Sequence, residues 1–129
     1  MIAVDTNVLV RLLTGDDPAQ FKASERLFAT DQIYIPITVL LETEWVLRAA
    51  YKLSPVDVCD AFSRVLGLAN VTITDGQRIS QAIAWNEKGL DFADALHLSQ
   101  CQEQEKLKTF DNAFIKQAKG LAECRVEKP

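Results

Sequence analysis

Apolar residues come in short runs separated by longer amphipathic stretches, and this alternation predicts the elements. Residues 2–5 predict a short buried strand, and Thr6 is placed to cap a helix over 7–13 that ends near Gly15. Residues 18–29 set Phe21, Leu27 and Phe28 among charges, with Pro18 suited to a first helical turn and Asp16 and Asp17 to its N-terminus. A brief strand over 33–35 is stopped by Pro36, and residues 37–51 have the length and spacing of a strongly apolar helix. Its predicted inward side carries Val39, Glu42, Val46 and Ala49. Ser54 and Pro55 start a helix to Leu66, residues 71–73 form a third strand, and Asp75 starts a helix that Gly89 ends. Asp91 caps a helix reaching Gln104, residues 107–110 form a fourth strand, Asp111 opens a helix ended by Gly120, and residues 125–127 add an edge strand. Strands alternating with helices predict an α/β fold with a parallel sheet covered on both faces.

With 129 residues, 48% of them hydrophobic, the chain suits one domain over 1–129 with one core. No charged leader, long apolar segment or cleavage site is visible, and the three cysteines, Cys59, Cys101 and Cys124, lack any paired spacing. The expectation is therefore a cytoplasmic protein with reduced thiols and no membrane segment. A net charge of -4 argues against gripping nucleic acid through a broad basic surface. Setting aside four acids as a candidate site leaves 14 of the 18, matching the 14 Lys and Arg, so the excess charge fits in one pocket that a cation would offset.

Those four acids are Asp5, Glu42, Asp94 and Asp111. Asp5 and Asp111 follow predicted strands, at the sheet end where open α/β folds gather ligands. Glu42 lies on a predicted apolar face, where an unpaired carboxylate costs several kcal/mol and needs a partner. Asp94, one turn after Asp91, points from the first turn of its helix toward the apolar side. A hard divalent ion such as Mg2+ or Mn2+ suits a ring of carboxylates. It would position and activate a water for in-line attack on a phosphodiester. Each acid also has a plain structural role open to it: Asp5 and Asp111 as caps, Asp94 completing a cap with Asp91, and Glu42 paired with an arginine.

The segments Asp5-Thr6-Asn7-Val8-Leu9, Glu42, Asp91-Phe92-Ala93-Asp94-Ala95-Leu96-His97 and Thr109-Phe110-Asp111 together resemble the signature of PIN-domain nucleases, especially the VapC toxins of bacterial and archaeal toxin-antitoxin pairs. The resemblance implies a three-layer α/β/α sandwich with a short parallel sheet, Mg2+- or Mn2+-dependent endoribonuclease activity, and inhibition by a cognate antitoxin. Carried over by position, Asp5, Glu42, Asp94 and Asp111 match the family's acidic quartet, with Asp5 and Asp94 as direct metal ligands. Thr6 and Thr109 match small polar residues that orient acids and water. Asp91 fits a capping role, and Asn7 a hydrogen-bonding support.

His97, the only histidine, is better read as a packed or supporting residue than as a general base, because a metal-activated water already supplies the nucleophile. Trp45 and Trp85 are read as core or interface residues rather than base-stacking ones. Arg11, Arg48, Lys52, Lys116 and Lys119 are candidate phosphate contacts. Leu41, Trp45 and Leu47 beside Val39 and Val46 suggest an apolar patch for a homodimer and for an amphipathic antitoxin helix that sends an Arg or Lys into the acidic pocket. Two other functions compete. One is a PIN-like protein that binds RNA or a partner without cleaving it. The other is an aspartyl-phosphate phosphatase, disfavoured because Asn7 stands where that chemistry has a second Asp.

Overall fold

The computed structural model describes residues 1–129, along which five strands and seven helices alternate. They fall into two units, Met1–Gly76 and Gln77–Pro129. No helix is long and apolar enough to cross a membrane.

The first unit holds β1 (Ile2–Ala3), α1 (Thr6–Thr14), α2 (Pro18–Thr30), β2 (Ile33–Tyr34), α3 (Ile37–Ala49), α4 (Pro55–Leu66) and β3 (Val71–Thr72). The strands are parallel in the order β1-β2-β3, with Ile33 opposite both Ile2 and Val71. Parallel pairing needs long crossovers, which the helix pairs between successive strands supply. Ile33 and Ile35 are fully buried. The predicted burial of the first strand is corrected: β1 lies on the edge of this sheet with Ile2 41% exposed, and the buried residue is Val4, just past its end.

Most helix boundaries follow local chemistry. Asp17 caps α2 by accepting from the Gln20 N–H at 3.0 Å, and Ser54 caps α4 by accepting from the Asp57 N–H at 3.2 Å. Gly15 closes α1 at φ +65°, a left-handed conformation that costs glycine nothing. Asp75 also stands at positive φ, so the next helix starts one residue later than predicted, at Gly76.

The second unit holds α5 (Gly76–Glu87, its first residue in the first unit), α6 (Phe92–Ser99), β4 (Lys106–Lys108), α7 (Asn112–Ala118) and β5 (Arg125–Glu127). β4 and β5 pair in parallel, Lys106 opposite Arg125 and Lys108 opposite Glu127, with α7 in the crossover. Helix α6 stops five residues short of the predicted Gln104. The Ser99 hydroxyl donates to the Leu96 carbonyl at 2.7 Å and Arg78 donates to the Ser99 carbonyl at 2.8 Å. The polar sequence beyond, Gln102-Glu103-Gln104-Glu105, offers no apolar face to continue the helix. Strand β4 likewise ends at Lys108, leaving Thr109 and Phe110 in a bend.

Candidate active site

In the first unit the site residues lie at the start of α1 and in the middle of α3. Asp5, rather than Thr6, is the cap of α1: its Oδ1 accepts the Thr6 N–H at 2.8 Å while the carboxylate stays exposed. Thr6 is instead the first helical residue. Its buried hydroxyl donates a short hydrogen bond to Glu42 Oε1, tying the start of α1 to α3. Asn7 is exposed beside them.

Glu42 does not lie on the buried face of α3. The inward stripe is Val39, Leu40, Thr43, Glu44 and Leu47, and Glu42 is exposed. Apolar residues occur on every side of this helix, so its periodicity does not single out the inward face. The buried carboxylate is Glu44, 6% exposed, which accepts from Arg48 Nε at 2.9 Å. The arginine pairing open to Glu42 thus falls to Glu44, and Arg48, a candidate phosphate contact, is engaged in it.

In the second unit Asp91 and Asp94 stand at the start of α6 and Asp111 at the start of α7. Asp91 caps α6, its Oδ2 accepting the Asp94 N–H at 3.2 Å. Asp94 is half-buried, and its carboxyl is pushed above the usual carboxylate range, first by burial and then by the charges of Asp91 and Asp111, with His97 opposing. Asp111 caps α7 by accepting the Ala113 and Phe114 N–H groups at 2.9 and 3.1 Å, and its own N–H donates to Thr109 Oγ1 at 3.1 Å. The Thr109 N–H donates to the Glu127 carbonyl at 3.1 Å, so β5 anchors the segment. Thus Asp94 and Asp111, expected to act together, are electrostatic neighbours, and Thr109 supports Asp111 through the backbone.

His97 is exposed rather than packed in the core. Of the two tryptophans expected in the core or an interface, Trp85 is buried in the core and Trp45 is 58% exposed. Arg11 is engaged by Asp16 at 2.8 Å and Gln20 at 2.7 Å, while Lys52, Lys116 and Lys119 are exposed. Phe110 is 81% exposed beside Asp111, past the end of β4 rather than within the predicted strand over 107–110. The signal was present, because Lys106, Lys108 and Phe110 share the outward phase of a period-two alternation.

Within neither unit do three or more His, Cys, Asp or Glu side chains gather in a cage for an ion. The donors nevertheless suit Mg2+ or Mn2+. They are hard oxygens, Mg2+ typically takes one or two carboxylates and keeps its waters, and a cation beside Asp94 would offset both the burial of its charge and the repulsion from Asp91 and Asp111.

A family model described as PIN domain matches residues 2–120, a span that includes all four acids. Among solved structures, the chain is similar to the Mycobacterium tuberculosis toxin VapC20, described as cleaving the sarcin-ricin loop. The two share 23% identity over 97% of this chain and 99% of that one, with a TM-score of 0.45. No curated protein matches the sequence.

Proposed function

The chain belongs to the PIN domain family, and from that premise we propose that it is a metal-dependent endoribonuclease, the toxin of a VapBC-type toxin-antitoxin pair, hydrolysing RNA phosphodiester bonds. Residues 1–129 are taken as one nuclease domain, since the family match runs through both units. The observation that carries the reading is half-buried Asp94, whose carboxyl is pushed upward first by burial and then by the charges of Asp91 and Asp111. Such repulsion is kept at a functional site when a cation or reaction uses it.

In this reading Asp5 and Asp94 hold Mg2+ or Mn2+, with Glu42 and Asp111 completing the acidic set. When bound, the ion supplies Lewis acidity at the phosphate and makes water a better nucleophile. The chain's other residues fix orientation. The Thr6 hydroxyl holds one Glu42 oxygen in place, leaving the other to act as acceptor. Asp91 fixes the first turn of α6 and hence the direction of Asp94. Thr109 holds the backbone of Asp111, and the α7 cap orients its carboxylate. Asn7 is exposed where it can donate to a substrate oxygen.

The cognate antitoxin and a second copy of the chain are the proposed partners. Support for an apolar contact surface comes from Trp45, exposed three residues after Glu42 on α3, beside half-buried Leu41 and Val46. The toxin reading is tested by mapping RNA ends in cells after brief induction of the wild-type chain and of Asp5→Asn. New ends and growth arrest with the wild type alone are expected. Identical RNA ends from both would overturn it.

A further inference from the structure

Phe110 is 81% exposed, more than any other large hydrophobic side chain of the protein. A lone exposed apolar residue needs no explanation on a mobile surface, but this one stands on a braced backbone. On one side the Thr109 N–H is bonded to the Glu127 carbonyl at 3.1 Å. On the other, the Asp111 N–H is bonded to Thr109 Oγ1 and the Asp111 carboxylate caps α7. The ring is thus presented from a fixed frame one residue from a site acid, about 3.8 Å away between Cα atoms.

We propose that Phe110 is a stacking platform for an unpaired base of the RNA, in the nucleotide beside the scissile phosphate; this rests on the ribonuclease reading above. The surroundings favour a base over a protein partner. The ring's chain neighbours Lys108, Asp111 and Asn112 are exposed and polar, which suits a solvated nucleic-acid strand better than the charge-depleted core of a protein interface. A nucleobase needs only a π face, which every base offers. Stacking on a side chain also requires the base to be splayed from a helix, so the preferred substrate is a loop or single strand. Because the bend is already fixed, little conformational freedom is lost when the base docks.

The test compares wild type, Phe110→Ala and Phe110→Trp on single-stranded and hairpin RNA oligonucleotides of mixed sequence with Mn2+, each substrate also made with an abasic nucleotide on either side of the cut. Expected for Phe110→Ala is a fall in kcat/KM of roughly tenfold to a hundredfold, carried mainly by KM, as for other base-stacking aromatics. Phe110→Trp should stay near wild type. The abasic change at one flanking position should slow the wild type but not Phe110→Ala, since both remove the same contact. Unchanged cleavage by Phe110→Ala, or equal losses on intact and abasic RNA, overturns the proposal and leaves the nuclease reading standing. Unchanged cleavage with weakened inhibition by an antitoxin reassigns the ring to a protein interface. A wild-type protein that cuts none of these RNAs removes the nuclease reading, and this proposal with it.

Discussion

In the proposed function Asp94 carries opposite demands with and without the cation, and this makes it the most informative single residue. Its carboxyl binds a proton more readily folded than unfolded, because burial and then Asp91 and Asp111 oppose its charge. Folded protein therefore holds more protons than unfolded between the two pKa values, and stability falls as pH rises from the ordinary carboxylate range through the raised one. Asp94→Asn should raise the melting temperature of the metal-free protein at neutral pH, flatten its acid-to-neutral dependence, and lower cleavage by at least about a hundredfold. Thermal melts in chelator across that range, beside a cleavage assay, check both halves. Thr6 acts at one remove: Thr6→Val deletes the hydrogen bond to Glu42, with an expected loss of about tenfold to a hundredfold in rate, while Thr6→Ser restores it. Thr43 is a control of a different kind. Its buried Oγ1 has no hydrogen-bond partner, so Thr43→Val should stabilise the protein by about 1 kcal/mol in denaturant titration, with activity unchanged.

At the scale of elements, one pair of substitutions separates the observed cap role of Asp111 from its proposed role in the site. Asn keeps an oxygen for the Ala113 and Phe114 N–H groups, whereas Ala removes the cap and should cost about 1 kcal/mol. If Asp111 is only a cap, Asp111→Asn cleaves normally; the site reading expects it to fold like the wild type and cleave far more slowly. The same residue shows why much of the fold was legible. Caps at Asp17, Ser54, Asp91 and Asp111, and the left-handed Gly15, are local chemistry written into adjacent residues. What was not legible depends on distant partners. Which of Glu42 and Glu44 turns inward on α3 is decided by what packs against that helix, and an apolar pattern on all sides does not encode it. The early end of α6 similarly depends on Arg78, more than twenty residues upstream, reaching the Ser99 carbonyl. The caps at Asp91 and Asp111 were legible because caps are local, while the exposure of Phe110 was hidden by a predicted strand that runs two residues past Lys108.

At the scale of the whole molecule, the proposed function treats the acids as one set and the cation as its missing charge. Net charge is already -4, so a divalent ion binding only the folded state should stabilise it by mass action as well as enable the chemistry. The most direct measurement is cleavage of a labelled RNA by the purified chain, in chelator and across a Mn2+ titration, with Asp5→Asn and Asp94→Asn alongside and melting temperature followed in the same samples. The account predicts no cleavage in chelator, cleavage that rises with Mn2+ together with the melting temperature of the wild type, and little of either response in the two variants. Cleavage that persists in chelator, or variants that cut RNA at the wild-type rate, would contradict it.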